Sequence, residues 1–299
     1  MRSASVVIPA YNAAATIGDM LRGLVQQTNP PADREIIVVD NGSSDRTAEV
    51  AASFPSVTVL HESTRGPAAA RNRGLRHATK EIVVHLDADT LPTRTWLAKM
   101  VALFDDPTTV LAAGHTLIFQ PTNGVERYFA GAGLYETDRA ISRPPFPFVP
   151  SLNMAVRRDA ALEIGGWAED LMTAEDVDFS HRILQRYPGP IAYARGAVLF
   201  HRVRSTPQQL ASLAQSYGRG VALMYLRYPD EVRWDAYKTA KTNARIVARA
   251  VASAGLRLAQ RLALTTRERA EFSHYHFVWS RNFAAGFYDE YRVRRQAAK

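Results

Sequence analysis

The sequence predicts an α/β protein: a doubly wound, mostly parallel sheet followed by an α-helical appendage at the C-terminus. Three observations predict it. Short continuous apolar runs recur before residue 90, as "SVVIPA" (5–10), "EIIVVD" (35–40), "SVTVLH" (56–61) and "EIVVHLD" (81–87). Helix-like stretches separate them, the pattern of parallel strands covered on both faces. From residue 206 onward helical periodicity dominates, without repeats or low-complexity segments.

The elements follow in order. After the first strand a helix is expected near 13–27, with Ile17, Leu21 and Leu24 on one face. "SDRTAEVAASF" (44–54) reads as a helix capped by Ser44 or Asp45. "GPAAARNRGLRHA" (66–78) is the third helix, 93–104 the next, and 110–118 a further strand. The pattern then loosens. "SRPPFPFVPSLN" (142–153) is too rich in proline for regular helix and is expected to run extended along a site. "NMAVRRDAALEIGGW" (153–167) reads as strand, helix and a glycine turn ending in Trp167. "AEDVDFSHRILQRY" (174–187) is a helix with its acids in the first turn, and "IAYA" and "AVLFHRV" are two short strands.

The bulk numbers bound the answer. A chain of 299 residues, 46% hydrophobic and 22% charged, is long enough to bury a large core and ordinary for a globular protein. There is no cysteine, so disulfides, thiolate zinc sites and a thiol nucleophile are excluded. Neither a signal peptide nor an apolar run long enough to span a membrane is visible, so a cytoplasmic, non-integral protein is expected. The net charge of +8 is unevenly spread: residues 1–205 hold 21 Lys/Arg against 22 Asp/Glu, and residues 206–299 hold 16 against 7. A basic region beside a neutral one suggests an anionic partner, whether phospholipid, nucleic acid or polyanionic substrate.

In a doubly wound sheet, ligands bind beyond the carboxyl ends of the strands. Tyr11-Asn12, Asp40-Asn41 and Asp87-Asp89 all lie at such ends, so three polar clusters converge on one crevice. No G-x-G-x-x-G follows the first strand and no G-x-x-x-x-G-K-[ST] occurs, so the phosphate cradles of dinucleotide and P-loop proteins are missing. Asp87 and Asp89, with only Ala88 between them, repel each other unless positive charge stands between or in front of them. That pattern is either a solvated strand-to-loop junction or a metal site.

"VVIPAYNAAATI", "IIVVDNGSSDRT", "GPAAARNRGL", "HLDADT", "NMAVRRDAALEIGGW" and "AEDVDFSHRI" stand here in the order and spacing of the family 2 glycosyltransferases, and over about residues 3–205 the chain resembles that family. The resemblance implies a GT-A fold, Rossmann-like, and transfer of a sugar from a nucleotide-diphosphate donor with inversion, usually with Mn2+ or Mg2+. It makes Pro9, Tyr11 and Asp40 line the nucleoside pocket, with a UDP-sugar the favoured donor. It sets Arg71 near the donor and makes Asp87-Ala88-Asp89 the D-x-D segment, reaching ribose and metal. His201 matches a position that can complete the metal shell. The family's E-D pair maps onto Glu175 and Asp176, with Asp176 the base that deprotonates the acceptor hydroxyl and Asp178 a solvated or structural acid. Trp167 is expected either to stack on a sugar face or to be a core tryptophan, Asn153 to line the donor sugar, and Arg202 and Arg204 are candidates for diphosphate contact on charge alone.

A catalytic domain over 1–205 is therefore expected, with a nucleotide-binding half to about 105, an acceptor-binding half over 106–205, and a basic helical region over 206–299. Within 238–264, Lys238, Lys241, Arg245, Arg249, Arg257 and Arg261 recur at helical spacing, and Val247, Val251, Ala254, Leu258 and Leu262 recur on the opposite side. That describes either a membrane-surface helix or one packed on the domain with its cations in water. The first alternative would make this a peripheral enzyme at the inner face of the plasma membrane, acting on a lipid-linked or polysaccharide hydroxyl acceptor. The competing readings are a nucleotidyltransferase, which would want a glycine-rich basic loop where "PAYNAAATI" stands, and a nucleic-acid-binding protein, for which residues 206–299 offer no recognised motif.

Overall fold

The computed structural model describes residues 2–297 and divides into two compact units, one of residues up to Phe119 with Tyr135–Arg202, the other of Gln120–Leu134 with residues from Val203 on. In chain order the strands are β1 (Ala4–Ala10), β2 (Arg34–Asp40), β3 (Val57–His61), β4 (Ile82–Leu86), β5 (Thr90–Pro92), β6 (Leu111–Ile118), β7 (Asn153–Arg157) and β8 (Ala192–His201). The helices are α1 (Ile17–Val25), α2 (Thr47–Ala52), α3 (Pro67–His77), α4 (Trp96–Ala102), α5 (Gly124–Ala132), α6 (Thr137–Ile141), α7 (Arg158–Glu163), α8 (Glu175–Arg186), α9 (Pro207–Arg227), α10 (Ala236–Arg261) and α11 (Arg267–Ala297).

All eight strands belong to the first unit and form one sheet in the order β3-β2-β1-β4-β7-β6-β8-β5. β1 to β4 run parallel, β7 is inserted antiparallel between β4 and β6, and β5 is an antiparallel edge on β8. Alternation along the strands divides the core. Val6, Ile8, Val38, Val84 and Leu86 face α1 and α4, where Met20, Leu21, Trp96 and Met100 are buried. Val7, Ile37, Val39 and Val83 face α3, α7 and α8, with Ala70, Ala161, Phe179 and Trp167. Each such buried aliphatic side chain contributes about 1.5–3 kcal/mol.

Local chemistry departs from expectation in places. α2 is not capped by Ser44 or Asp45: Arg46 is its N-cap, although Asp45 accepts from the Thr47 backbone N–H at 3.0 Å just inside. The two short strands expected around 191–203 are one strand, β8, whose register against β6 shifts between Gly114 and His115. β5 was not expected, because three residues carry no period. The proline-rich stretch is irregular from residue 143 to 152.

The second unit is helical. α5 and α9 begin with capping boxes, Asn123 with Glu126 and Thr206 with Gln209. Residues 120–134, expected in the acceptor-binding half, cluster with these helices because Tyr128 and Phe129 of α5 pack on Phe272 and Trp279 of α11. α9 and α11 cross backbone against backbone: a Cβ on Gly218 would stand 2.0 Å from the Phe283 carbonyl oxygen, and one on Gly286 2.1 Å from that of Gln215. α10 does not bury its apolar side, although Lys241, Arg245, Arg257 and Arg261 are exposed. Its apolar stripe faces solvent, while Arg249 is half-buried and donates to Ser280 Oγ on α11. Among the described residues no helix is long and apolar enough to cross a membrane.

Candidate active site

The parallel strands end side by side, Ala10 paired with Asp40 and Asp40 with His61. Asp40 is buried, its Oδ2 lies 3.4 Å from His61 Nδ1, and its Oδ1 is buried without a hydrogen-bond partner. An acceptor left bare at a strand end is suited to a ligand N–H or O–H. Pro9 is half-buried one residue before the end of β1. Tyr11 is 51% exposed beyond it, with the Arg65 guanidinium 5.7 Å over its ring. Asn12, at φ 49°, accepts from the Ser44 N–H at 2.9 Å, and Asn41 binds the Glu62 and Thr64 carbonyls, so three strand-end loops are stitched together.

Alternation along β4 sets the next group. Val84, Leu86 and Ala88 take the core face shared with α1 and α4, so the Ala88 methyl is buried there and only its backbone can meet a ligand. Val83, His85 and Asp87 take the other face, toward α3. Arg71 of α3 is 3% exposed and forks between two acids: Nη2 is 2.9 Å from Asp87 Oδ1 and Nη1 2.9 Å from Glu175 Oε1. Both carboxylates stabilise its charge, and its pKa is raised despite the burial that opposes it. Loss of solvation, with the charge of Asp89 added, pushes Asp87 above the usual carboxylate range against the pull of Arg71. His85, whose two ring nitrogens lack partners, is held neutral by burial and by Arg71, its pKa well below the ordinary value.

A tight turn, with the Thr90 hydroxyl on the Asp87 carbonyl at 2.7 Å, sends the chain into β5. β5 pairs Thr90 with His201, and β6 pairs Ile118 with the same residue. That pairing brings Asp89 beside His201, with Oδ2 3.4 Å from Nε2. His201 is nearly buried, stands edge-on to Tyr135 at 4.6 Å, and its Nδ1 has no hydrogen-bond partner. The three expected metal ligands thus divide: Asp89 faces His201 while Asp87 turns to Arg71. Among the described residues no three His, Asp or Glu side chains converge to enclose a metal. The donor set still fits one, because Mg2+ and Mn2+ prefer hard oxygens and commonly take only one or two carboxylates, the rest coming from substrate phosphate and water.

At the head of α8, Ala174 adopts a left-handed φ of 61° and turns the chain into the acids, a conformation costing about 1–2 kcal/mol for a residue with a Cβ. Glu175 is buried on Arg71 and Asp178 on Arg182 at 2.8 Å, so Asp178 is structural and not solvated. Asp176 is half-buried, accepts from the Ser151 N–H at 3.4 Å and the Val177 N–H at 2.9 Å, and has its pKa raised to about 7 by burial and then by the Glu175 charge.

Two residues expected at the donor sugar are engaged inside the protein. Asn153 is 1% exposed, with Oδ1 accepting from Trp96 Nε1 at 2.9 Å and Nδ2 donating to Thr116 Oγ1 at 3.3 Å, so its amide is consumed inside the sheet. Trp167 is buried, stacked on Phe179 at 4.2 Å with Arg71 4.9 Å from its ring, and backs the arginine instead of offering a face to sugar. Arg202 pairs with Asp19 at 2.6 Å and lies over Phe119, so it is committed elsewhere; Arg204 is exposed. Sequence reasoning missed His61, Arg65, His85, Tyr135 and Ser151. Only His85 carried a signal, a polar residue in a buried strand two positions before Asp87, hence on its face.

The chain matches the family model described as Glycosyl transferase family 2 over residues 5–165. The pre-mycofactocin glycosyltransferase of Mycobacterium tuberculosis (strain CDC 1551 / Oshkosh) is 31% identical over 242 residues, covering 77% of this chain and 49% of that protein. This chain therefore spans about half the length of that relative. Glycosyltransferase AglE of Haloferax volcanii is 30% identical over 185 residues, 60% of each chain. Among solved structures, the mannosyltransferase PcManGT from Pyrobaculum calidifontis, in complex with GDP-Man and Mn2+, superposes with a TM-score of 0.65 at 22% identity, over 95% of this chain and 86% of that one. S. aureus TarS 1-349 in complex with UDP gives 0.54 at 17% identity, over 99% and 92%. At these identities the structural likeness is one of fold.

Proposed function

This chain belongs to glycosyl transferase family 2 and is a glycosyltransferase with a GT-A fold, and on that footing we propose that it moves a sugar from a nucleotide-diphosphate donor to an acceptor hydroxyl with inversion. The observation that carries this reading is Asp176, a half-buried carboxylate raised to about 7 beside an acid that Arg71 ties to the D-x-D segment. A base is most effective when its pKa lies near the working pH. Asp176 takes the acceptor proton as the new glycosidic bond forms and the bond to the diphosphate breaks. Arg71 holds Glu175 and Asp87 in place while this happens.

On the donor side, the bare Oδ1 of Asp40 accepts from the base and the exposed ring of Tyr11 flanks it, with Pro9 framing the pocket. A UDP-sugar is the favoured donor; PcManGT and TarS were solved with GDP-Man and with UDP. Asp89 and His201 would hold Mn2+ or Mg2+ with Asp87 alongside, and the bound ion supplies charge stabilisation to the departing diphosphate. The catalytic domain is taken as residues 1–205, donor half first, with 206–299 as a basic region at a membrane surface on the cytoplasmic side, where a lipid-linked or polysaccharide acceptor is used.

The test is donor hydrolysis by the purified chain with a panel of UDP-, GDP- and dTDP-sugars and Mn2+ or Mg2+. Metal-dependent nucleotide release that disappears in Asp89→Ala supports the reading. No release and no metal-dependent binding to any member of the panel sinks it.

A further inference from the structure

α10 leaves the apolar side of its own pattern exposed. At 100° per residue, Val247, Val251, Leu258 and Leu262 fall within roughly 60° of arc. They are 63%, 68%, 59% and 60% exposed. Ala240 and Ala244 lie in the same arc, Ala254 about 20° outside it, and all three are exposed. The opposite side meets the rest of the unit: Ser253 is buried, and Arg249 reaches Ser280. The stripe thus runs about 33 Å along the helix, and none of the described residues covers it.

The charge around it identifies what covers it. α10 carries six cations and no acid. Arg257 and Arg261 border the stripe on one side, Lys241 and Arg245 on the other, and all four are exposed. A second copy of the helix laid against the first would bring two such rims together with no carboxylate between them. Nucleic acid would satisfy the cations and leave the valines and leucines in water. An anionic lipid surface satisfies both, taking the aliphatic side chains below the headgroups and the cations among them.

We infer that the exposed face of α10 is a membrane-insertion surface, which lies in the plane of an anionic bilayer with Val247, Val251, Leu258 and Leu262 below the headgroup level. This names the face and the partner behind the membrane setting proposed above, and it does not depend on which donor or acceptor is used.

The experiment is flotation of the full chain with vesicles of phosphatidylcholine alone and of phosphatidylcholine containing one third phosphatidylglycerol. The chain is expected to float with the anionic vesicles only. V251S/L258S, at exposed positions, is expected to weaken the partition by roughly a hundredfold, from two aliphatic side chains no longer buried. K241Q/R245Q is expected to weaken it by roughly thirtyfold, at about fivefold for each cation removed. Circular dichroism and hydrolysis of a soluble nucleotide-sugar should be unchanged in both variants, which separates failure of docking from failure of the transferase reading. Absence of flotation overturns the inference, as does V251S/L258S floating like the parent, which would make the contact electrostatic only. A dimer in solution that V251S/L258S dissociates would assign the face to a second copy and overturn it as well.

Discussion

Arg71 and Glu175, 104 positions apart in sequence, meet at 2.9 Å, and the same guanidinium holds Asp87 at 2.9 Å with its other arm. One buried cation therefore joins the acid at the end of β4 to the acid at the head of α8. Lysine could not do this, since an ammonium offers no planar fork.

Replacing Arg71 by Met is expected to destabilise the chain by about 3–5 kcal/mol, because two partly buried carboxylates lose their counter-charge. Arg71→Lys should recover part of the stability and little of the donor affinity. Urea unfolding and nucleotide titration read the two effects separately; a Lys variant that binds donor like the parent would contradict the bridging role.

Asp176→Asn is expected to lower kcat by about 10²–10⁴-fold while donor affinity stays near the parent value. The active form is the carboxylate, and burial has raised its pKa to about 7, so the parent kcat should rise with pH through neutrality and level off above it. The variant should lose that inflection. A profile already flat below neutral pH would place the base elsewhere.

Asn153→Ala separates two accounts of one residue. As a donor-sugar contact, Asn153 would change KM. Inside the sheet, its loss leaves Trp96 Nε1 and Thr116 Oγ1 unpaired, a cost of about 1–3 kcal/mol for each buried group left bare. A lowered unfolding midpoint with KM unchanged is the expected result.

Asp89→Ala and His201→Ala should each weaken Mn2+-dependent donor binding by at least about tenfold. Since the two side chains face each other at 3.4 Å, the double variant should lose little more than either single one. Full additivity in calorimetric titration would mean that they serve separate ends.

Gly218→Ala sets a methyl carbon 2.0 Å from the Phe283 carbonyl oxygen, with backbone on both sides and nowhere to yield. A loss of about 1–3 kcal/mol or more is expected, seen as an earlier thermal transition of the full chain. Gly255→Ala on α10, where nothing lies within 4 Å, is the matched control and should be neutral or stabilising.

Much of this was legible in the sequence because strand period and strand ends carry position. Continuous apolar runs announced β1 to β4, and the acids just past them lie at a shared sheet edge. What periodicity does not encode is which polar side chains are spent inside. Asn153 and Trp167 look like ligand-binding residues in a linear text, but Asn153 opens the antiparallel β7, next to Gly114, where its amide fills space that a Cβ would occupy. The nearness of Asp89 and His201 was legible only through the family resemblance, because in the fold it depends on β5, three residues with no pattern of their own. On α10 the hydrophobic stripe was read correctly as a stripe, yet amphipathicity does not say which side of a helix meets the protein.

Helix α3 has a bearing on any effort to retarget the enzyme. Within four positions Arg71 fixes two acids, Asn72 clasps the Trp167 backbone on both its N–H and its carbonyl, and Gly74 lets Val7 approach to where a side chain would begin. Only Arg73, Arg76 and His77 along that stretch point to water. A randomised library across α3 should thus survive only at those three places, in a helical rhythm. If the proposed donor pocket is right, variation aimed at donor choice belongs instead at Tyr11 and Arg65, exposed side chains that touch each other and no buried group, with His61 a costlier third position because it meets the buried Asp40.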